Sequence, residues 1–367
     1  MQQRIIDQWG RLRFCLSESP DAQIAELLAN TLYGTPGHTV YQHLNVEERL
    51  QQIRHARYLS LRKGDNLIAV LVLCRRDISL STGIVPSYYI RYFSIHPSFQ
   101  RRSVKEGNAR NRLSLIQRSM LDLLAQPEKL EMNDPTTGKA IFYAYVELEN
   151  ERSFAQTRLM GFEKISDFST VALSRYSPKK DPRVWAAGPE DHELIRKHLR
   201  KIYGGHAFYF EENLFQAGNF YLLKESDLIA GVAVHRVEFK VHHLPGFSGK
   251  LMLKLLPVIP GVSRIFNPKE YRFLATDSCF WPEGREDLVQ PLLESALHQE
   301  QRNAALLWTD RRDPFLPILR SKVRLGLINR FREEVPVDVI LKCQGLTEAE
   351  KSEVLGRPTY LSALDMT

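Results

Sequence analysis

Cysteine is scarce in this sequence. Its four residues (Cys15, Cys74, Cys279 and Cys343) lie far apart among 367, with no CxxC pair. That excludes a disulfide-stapled scaffold and a cysteine zinc site, and it fits reduced thiols serving as small core hydrophobes. The histidines, including His242-His243, show no HExxH or comparable ligand spacing, so no metal site is expected. Long apolar runs are lacking as well. The longest, Leu67 to Cys74, is far short of the roughly 18 to 20 residues that cross a bilayer, and Met1 to Phe14 has no apolar signal-like core. A cytoplasmic chain without a membrane span is the expectation.

The composition fits a packed protein: 43% hydrophobic and 25% charged residues suit a core that needs no staples. The length predicts two or three domains. Fifty Lys and Arg against 43 Asp and Glu give a net charge of +7, which favours polyanionic partners such as nucleic acid, headgroups or a phosphorylated cofactor. The position of that charge has to decide among them.

An internal repeat shapes the fold assignment. Arg13 to Asp21 leads into Ile24, Leu27 and Leu28 at helical spacing, and Arg183 to Asp191 leads into Leu194, Ile195 and Leu199. Both stretches read as a short strand followed by a helix. Tyr58–Val70 and Tyr221–Val232 each read as two strands around a tight polar turn, a hairpin. Late in each half a helix ends at Gly161-Phe162 or Gly326-Leu327, and a strand follows. The three offsets are 169, 161 and 165 residues, so one fold is used twice. The polar, proline-bearing stretch Ser177 to Pro182 suits a linker. This places domain one at 1–177 and domain two at 182–367. The alternation of elements predicts an α/β (α+β) protein in which each half is a mixed, largely antiparallel twisted sheet with a central βαβ unit flanked by helices.

The central unit of domain one begins with the β-rich stretch Tyr88 to Ile95. It runs through His96-Pro97-Ser98-Phe99-Gln100-Arg101-Arg102-Ser103-Val104-Lys105-Glu106-Gly107 into a helix bearing Leu113, Ile116, Met120, Leu123 and Leu124, and a second strand follows at Ile141–Val146. A loop that feeds a helix N-terminus presents unpaired N–H groups and the positive end of a dipole. With Arg101, Arg102 and Lys105 in it, this loop reads as a pyrophosphate cradle.

The segment resembles the GNAT superfamily of acyl-CoA-dependent N-acyltransferases. Ile95-His96-Pro97-Ser98-Phe99-Gln100-Arg101-Arg102-Ser103-Val104-Lys105 follows the family's signature strand and (Gln/Arg)-x-x-Gly-x-(Gly/Ala) loop as far as Gln100. Beyond it, Ser103 and Lys105 stand where glycines are usual. Either the loop has slipped, so that Gly107 and Ala109 take the small positions, or the cradle is altered and Ser103 and Lys105 donate to phosphate from their side chains. A second family motif is matched by Asn150, Ser153, Gly161 and Phe162, with Thr157 replacing the usual Tyr.

The resemblance implies acyl-CoA, acetyl-CoA first, as cosubstrate. Phe93, Ser94 and Ile95 would pair with pantetheine as an added strand. Gln100, Arg101, Arg102, Ser103, Val104, Lys105 and Gly107, together with Asn150, would bind the cofactor. An amine would attack the thioester directly with no acyl-enzyme, in keeping with the lack of a GxSxG elbow. Glu147 and Glu149 are the best-placed carboxylates for a base, against a bland reading as solvated strand-end charge. Asn150 is a catalytic candidate, although an Asn in this position is more often a helix N-cap, and the two roles are compatible. His96, before a proline, suits a packing role.

Domain two offers a central strand at Tyr271–Cys279 and a helix at Leu288–Glu300. Glu283, Glu286 and Asp287 stand where a pyrophosphate loop would be and would repel phosphate. CoA binding is therefore expected in domain one alone. The insertion at 239–269 is apolar with interspersed lysines and reads as a lid, an acyl-chain pocket, an interface or ordinary packing. Gly246 to Lys250 is a poor P-loop tail, and the basic zone Arg311 to Arg324 lacks the continuous stripe with stacking aromatics that nucleic acid requires. Two functions follow: an acyl-CoA-dependent N-acyltransferase with an unidentified amine acceptor, or a catalytically degenerate tandem GNAT protein that binds CoA, another ligand or a protein partner.

Overall fold

The computed structural model describes residues 3–100, 115–131, 138–148, 150–331 and 336–367. The first half contributes β1 (Arg4–Trp9), β2 (Leu12–Ser17), α1 (Ala22–Ala29), β3 (Val40–His43), α2 (Val46–Gln52), β4 (Ala56–Lys63), β5 (Asn66–Leu80) and β6 (Gly83–Ile95). After these come α3 (Pro97–Gln100), α4 (Leu115–Ala125), β7 (Ala140–Glu147), α5 (Glu151–Leu159) and β8 (Glu163–Ser174). The second half contributes β9 (Val184–Ala186), α6 (His192–Tyr203), β10 (Asn219–Glu225), β11 (Leu228–His243), α7 (Gly246–Leu255), β12 (Tyr271–Phe280) and α8 (Val289–Gln299). It closes with β13 (Ala304–Asp310), α9 (Phe315–Lys322), α10 (Leu327–Phe331), β14 (Val337–Gln344) and α11 (Glu348–Leu355).

Local chemistry accounts for the elements. The apolar run Leu67 to Cys74 lies in β5 and is buried throughout, as expected of a strand covered on both faces. The Asp21 side chain accepts from the Ile24 N–H at 2.9 Å and caps α1. The two hairpins read from the sequence are β4–β5, turning at Gly64 with φ +61°, and β10–β11.

Among the described residues, all fourteen strands join one sheet in the order β1-β2-β4-β5-β6-β7-β14-β8-β13-β12-β11-β10-β9, with β3 added against β11. Ser177 to Pro182 is irregular, but the sheet does not break there. β8 pairs with β13 along seven residues, and β14 lies between β7 and β8. β3 crosses the other way, setting His43 opposite Phe239 and Tyr41 opposite Val241. The halves therefore exchange strands, an arrangement that local hydrophobic pattern does not encode.

Each half carries the same irregularity. Between β5 and β6, Leu71 faces Phe93 and Leu73 faces Ile90, so Arg91 and Tyr92 share the space opposite Val72. Between β11 and β12, Gly231 faces Phe280 and Ala233 faces Asp277, so Ser278 and Cys279 share the space opposite Val232. Such bulges bend a strand and re-aim its side chains. In both halves the bulged strand then pairs in parallel with its neighbour for only three residues, Ser87–Tyr89 against Ile141–Tyr143 and Leu274–Thr276 against Ala305–Leu307. Beyond those pairs the strands diverge. Leu123 and Leu124 of α4 pack with Tyr88 and Phe142 on one sheet face, while Tyr89, Tyr143 and Phe168 face the other way toward Phe208 and Phe210.

Candidate functional site

Where β6 and β7 diverge, a cavity of about 340 Å³ opens, walled by both halves. Tyr33, His38, Tyr41 and His43 line it from β3 and the loop before it, Tyr89, Arg91 and Tyr92 from β6, and Tyr145 and Glu147 from β7. Phe239, Met252, Tyr271 and Trp308 close it from the second half, together with Asp365, Met366 and Thr367. The strand exchange brings these walls together. Tyr41 stacks on Phe239 with centroids 4.5 Å apart, and His43 meets the same ring edge-on at 4.7 Å.

Few charges enter this aromatic shell. The Glu147 carboxylate accepts from the Thr35 hydroxyl at 2.8 Å. Tyr41 is partly buried near it, and desolvation, reinforced by Glu147, raises the Tyr41 pKa, so that phenol stays neutral. Arg91 sits 4.8 Å over the Tyr92 ring. Burial disfavours its charge, but Tyr92, Cys74, Tyr89 and Asp365 outweigh that and keep the guanidinium protonated above its ordinary range. His43 is neutral: burial, with Arg91 and Arg49 nearby, lowers its pKa to about 3. Arg91 Nε and Nη2, the Tyr145 hydroxyl and His43 Nδ1 have no hydrogen-bond partner among the described residues. Buried polar atoms are normally paired with protein or ordered water, so this lining offers donors and an acceptor to whatever enters the cavity.

The C-terminal segment is fixed against β5 and β6. Arg76 donates through Nη1 to Asp365 Oδ2 at 2.7 Å and through Nη2 to Oδ1, forming a buried bidentate pair. Tyr89 donates to the Asp365 carbonyl at 2.7 Å and Tyr92 to the Thr367 carbonyl at 3.2 Å.

The residues singled out from the sequence fall into three groups. Phe93, Ser94 and Ile95 lie at the end of β6 beyond its three-residue pairing with β7, and Phe93 is 54% exposed. The Ser94 hydroxyl is hydrogen-bonded to Thr31. Glu147 lines the cavity, whereas Asn150 caps α5, accepting from the Ser153 N–H at 3.0 Å while its own N–H donates to the Glu147 carbonyl at 2.9 Å. Gln100 ends α3. Arg101, Arg102, Ser103, Val104, Lys105, Gly107 and Ala109, like Glu149, lie outside the described residues. Thr157 donates to the Phe154 carbonyl at 3.1 Å within its own helix. His96 Nδ1 accepts from the Ser98 N–H at 3.3 Å, which shapes the turn.

Arg91, Tyr145, His43, Thr35 and Asp365 are absent from the sequence-based candidates. Alternation along β6 and β7 would have put Tyr89 and Arg91 with Tyr145 and Glu147 on one face. The contributions of β3 and of Asp365 depend on the strand exchange and left no local signal.

In the second half the corresponding gap is occupied by the chain itself. Thr359 to Leu361 lie beside Asp277, Ser278 and Cys279. Tyr360 and Ser278 share a hydrogen bond of 2.6 Å, the Thr359 N–H donates to Asp310 at 3.1 Å, and the Ala363 N–H donates to Asp277 at 2.7 Å. Among the described residues no cluster of three metal-ligating side chains occurs, and no helix is long and apolar enough to cross a membrane.

No family model matches the sequence, and no curated protein matches it. Solved structures do. The crystal structure of Saccharomyces cerevisiae N-myristoyltransferase with bound myristoyl-CoA is 8% identical, covers 98% of this chain and 91% of that one, and superposes with a TM-score of 0.56. A structure of the yeast enzyme with myristoyl-CoA and inhibitors is 9% identical, covers 99% and 92%, and gives 0.51. A GCN5-related N-acetyltransferase from Sphaerobacter thermophilus is 11% identical over 97% and 99%, with a TM-score of 0.44. At these identities the likeness is one of fold. The chain shares with the yeast structures a fold built on one large mixed sheet flanked by helices.

Proposed function

We propose that the chain transfers an acyl group from acyl-CoA directly to an amine, with the thioester held at the divergence of β6 and β7 and the amine in the cavity beside it. The observation that carries this reading is the end of the β6–β7 ladder at Tyr89 and Tyr143, a few residues before Glu147 on the cavity wall. Pantetheine would extend along Phe93 to Ile95 as an added strand. The basic loop from Gln100 to Lys105, with Gly107, would take the pyrophosphate.

The amine nitrogen attacks the thioester carbon, the C–S bond breaks, the amine proton passes to Glu147 and CoA leaves as thiolate to be protonated. No residue forms a covalent acyl intermediate. Asn150 then serves as a positioning residue that holds the end of β7. The second half closes the acceptor cavity and binds no CoA, because Thr359 to Leu361 fill its own gap. Acetyl-CoA is the donor expected from the sequence, while the yeast enzyme of the same fold was solved with myristoyl-CoA.

Release of free CoA thiol over donors from acetyl to myristoyl and over a panel of amines tests the reading, amine-dependent release being the expected result. The second reading, a binding protein without turnover, is favoured by Thr157, whose hydroxyl is spent within α5. Acyl-CoA binding without release for any amine would support it.

A further inference from the structure

An α-helix that packs against a globular core normally shows one apolar face and one polar face. α7 is apolar on two. Its inner side carries Gly249 and Met252, both buried and both on the cavity wall. Gly249 permits this close seat, since a Cβ there would meet Leu244 at 2.7 Å. The outer side carries Phe247, Leu251 and Leu255, spaced four residues apart and so aligned along the helix, and Val258 and Ile259 extend the stripe into the following turn. All five are exposed, Phe247 by 82% and Val258 by 71%. Scattered apolar residues on a surface need no explanation, but a contiguous stripe on one short element marks an interaction face.

The surrounding charge selects the partner. From Phe239 to Lys269 the sequence holds no Asp or Glu, while Lys240, Lys250, Lys254, Arg264 and Lys269 are all exposed. Lys250 and Lys254 stand one turn apart along one edge of the apolar stripe. An apolar ridge bordered by lysines is the pattern of a helix lying in a lipid interface, its apolar side chains below the headgroups and its long cationic side chains reaching up to them.

We propose that α7 and the turn after it dock the protein on an anionic lipid surface. The opposite side of the same helix walls the cavity, so docking brings the cavity next to the membrane, where acyl chains and amphiphilic amines are concentrated. The proposal does not depend on the acyltransferase reading, because lipid binding is measured without turnover.

The test is co-sedimentation of the full chain with vesicles of pure phosphatidylcholine and with vesicles carrying about a third phosphatidylglycerol, at low and high salt. Binding is expected to the anionic vesicles only, and to weaken with salt. Phe247→Ser with Val258→Ser, and separately Lys250→Glu with Lys254→Glu, should each lower partitioning by roughly tenfold or more. Because these side chains are exposed, thermal unfolding should stay unchanged and so separate lost docking from lost fold. Failure of the wild-type chain to bind anionic vesicles, or equal binding by both double variants, overturns the proposal. A concentration-dependent dimer in sedimentation velocity that Phe247→Ser with Val258→Ser abolishes, without vesicle binding, would assign the face to a second copy instead.

Discussion

The Thr35 hydroxyl donates to Glu147 Oε2 at 2.8 Å, tying the loop ahead of β3 to the carboxylate that ends β7. This contact fixes the direction of Glu147 on the cavity wall. Glu147→Gln should lower kcat by about 10²- to 10⁴-fold, the usual loss for a general base, with acyl-CoA affinity unchanged. Thr35→Val leaves the carboxylate but frees it, so the loss should be smaller. Steady-state kinetics beside calorimetry of the same variants checks both, and an unchanged kcat in Glu147→Gln would remove this residue from the reaction.

The buried pair Arg76 and Asp365 joins β5 to the C-terminal segment, and the Tyr143 hydroxyl accepts from the same guanidinium at 2.7 Å. Asp365→Ala would strand that cation, at a cost of about 3 to 5 kcal/mol. Replacing both partners by Arg76→Met and Asp365→Leu should cost less than the sum of the single changes. Thermal unfolding of Asp365→Ala, of Arg76→Met and Asp365→Leu singly, and of those two combined measures the coupling. Additive losses would mean that the pair is not acting as a unit.

His43 gives the fold a pH dependence with a definite sign. Its folded pKa is lowered from 6.5 to about 3, first by burial and then by Arg91 and Arg49. Between those values the unfolded chain binds a proton that the folded chain refuses, so stability falls as pH drops from about 6.5 toward 3. Denaturant unfolding across that range should show a shallower slope for His43→Gln than for the parent. A slope unaffected by the substitution would place the acid sensitivity elsewhere.

Much of the fold was legible because it is locally encoded. The run at Leu67 to Cys74, the turn at Gly64-Asp65 and the cap at Asp21 each write their own element, and the hairpin recurs in the second half as β10–β11. The strand exchange was not legible. β14 pairs with β7 and β8, and β3 with β11, through backbone bonds between segments far apart in the chain. The site divides in the same way. Glu147 followed from its place at a strand end, whereas Arg91 looked like one more basic residue until the bulge at Val72 and the aromatic walls gave it a setting.

The repeat also yields a contrast. Gly161 and Gly326, paired in the sequence repeat, both have positive φ, +79° and +87°, but strand β8 follows the first whereas helix α10, not the expected strand, follows the second. A Cβ at Gly161 would meet only the Lys342 side chain, at 3.4 Å, but at Gly326 it would meet the Ser174 carbonyl oxygen at 2.2 Å. Gly161→Ala should therefore cost about 1 kcal/mol, the left-handed penalty alone, and Gly326→Ala clearly more. Chemical denaturation of both variants decides this, and equal losses would show that the close approach to Ser174 relaxes freely.

The measurement that bears most directly on the central claim is a calorimetric titration of the chain with acyl-CoA, repeated on Arg101→Ala with Arg102→Ala. The account predicts one site per chain, because Thr359 to Leu361 occupy the gap in the second half, with affinity about tenfold or more weaker in the double variant as two charge-assisted phosphate contacts are lost. Absence of binding by the unaltered chain at high micromolar ligand, for acetyl and longer acyl groups alike, would contradict it.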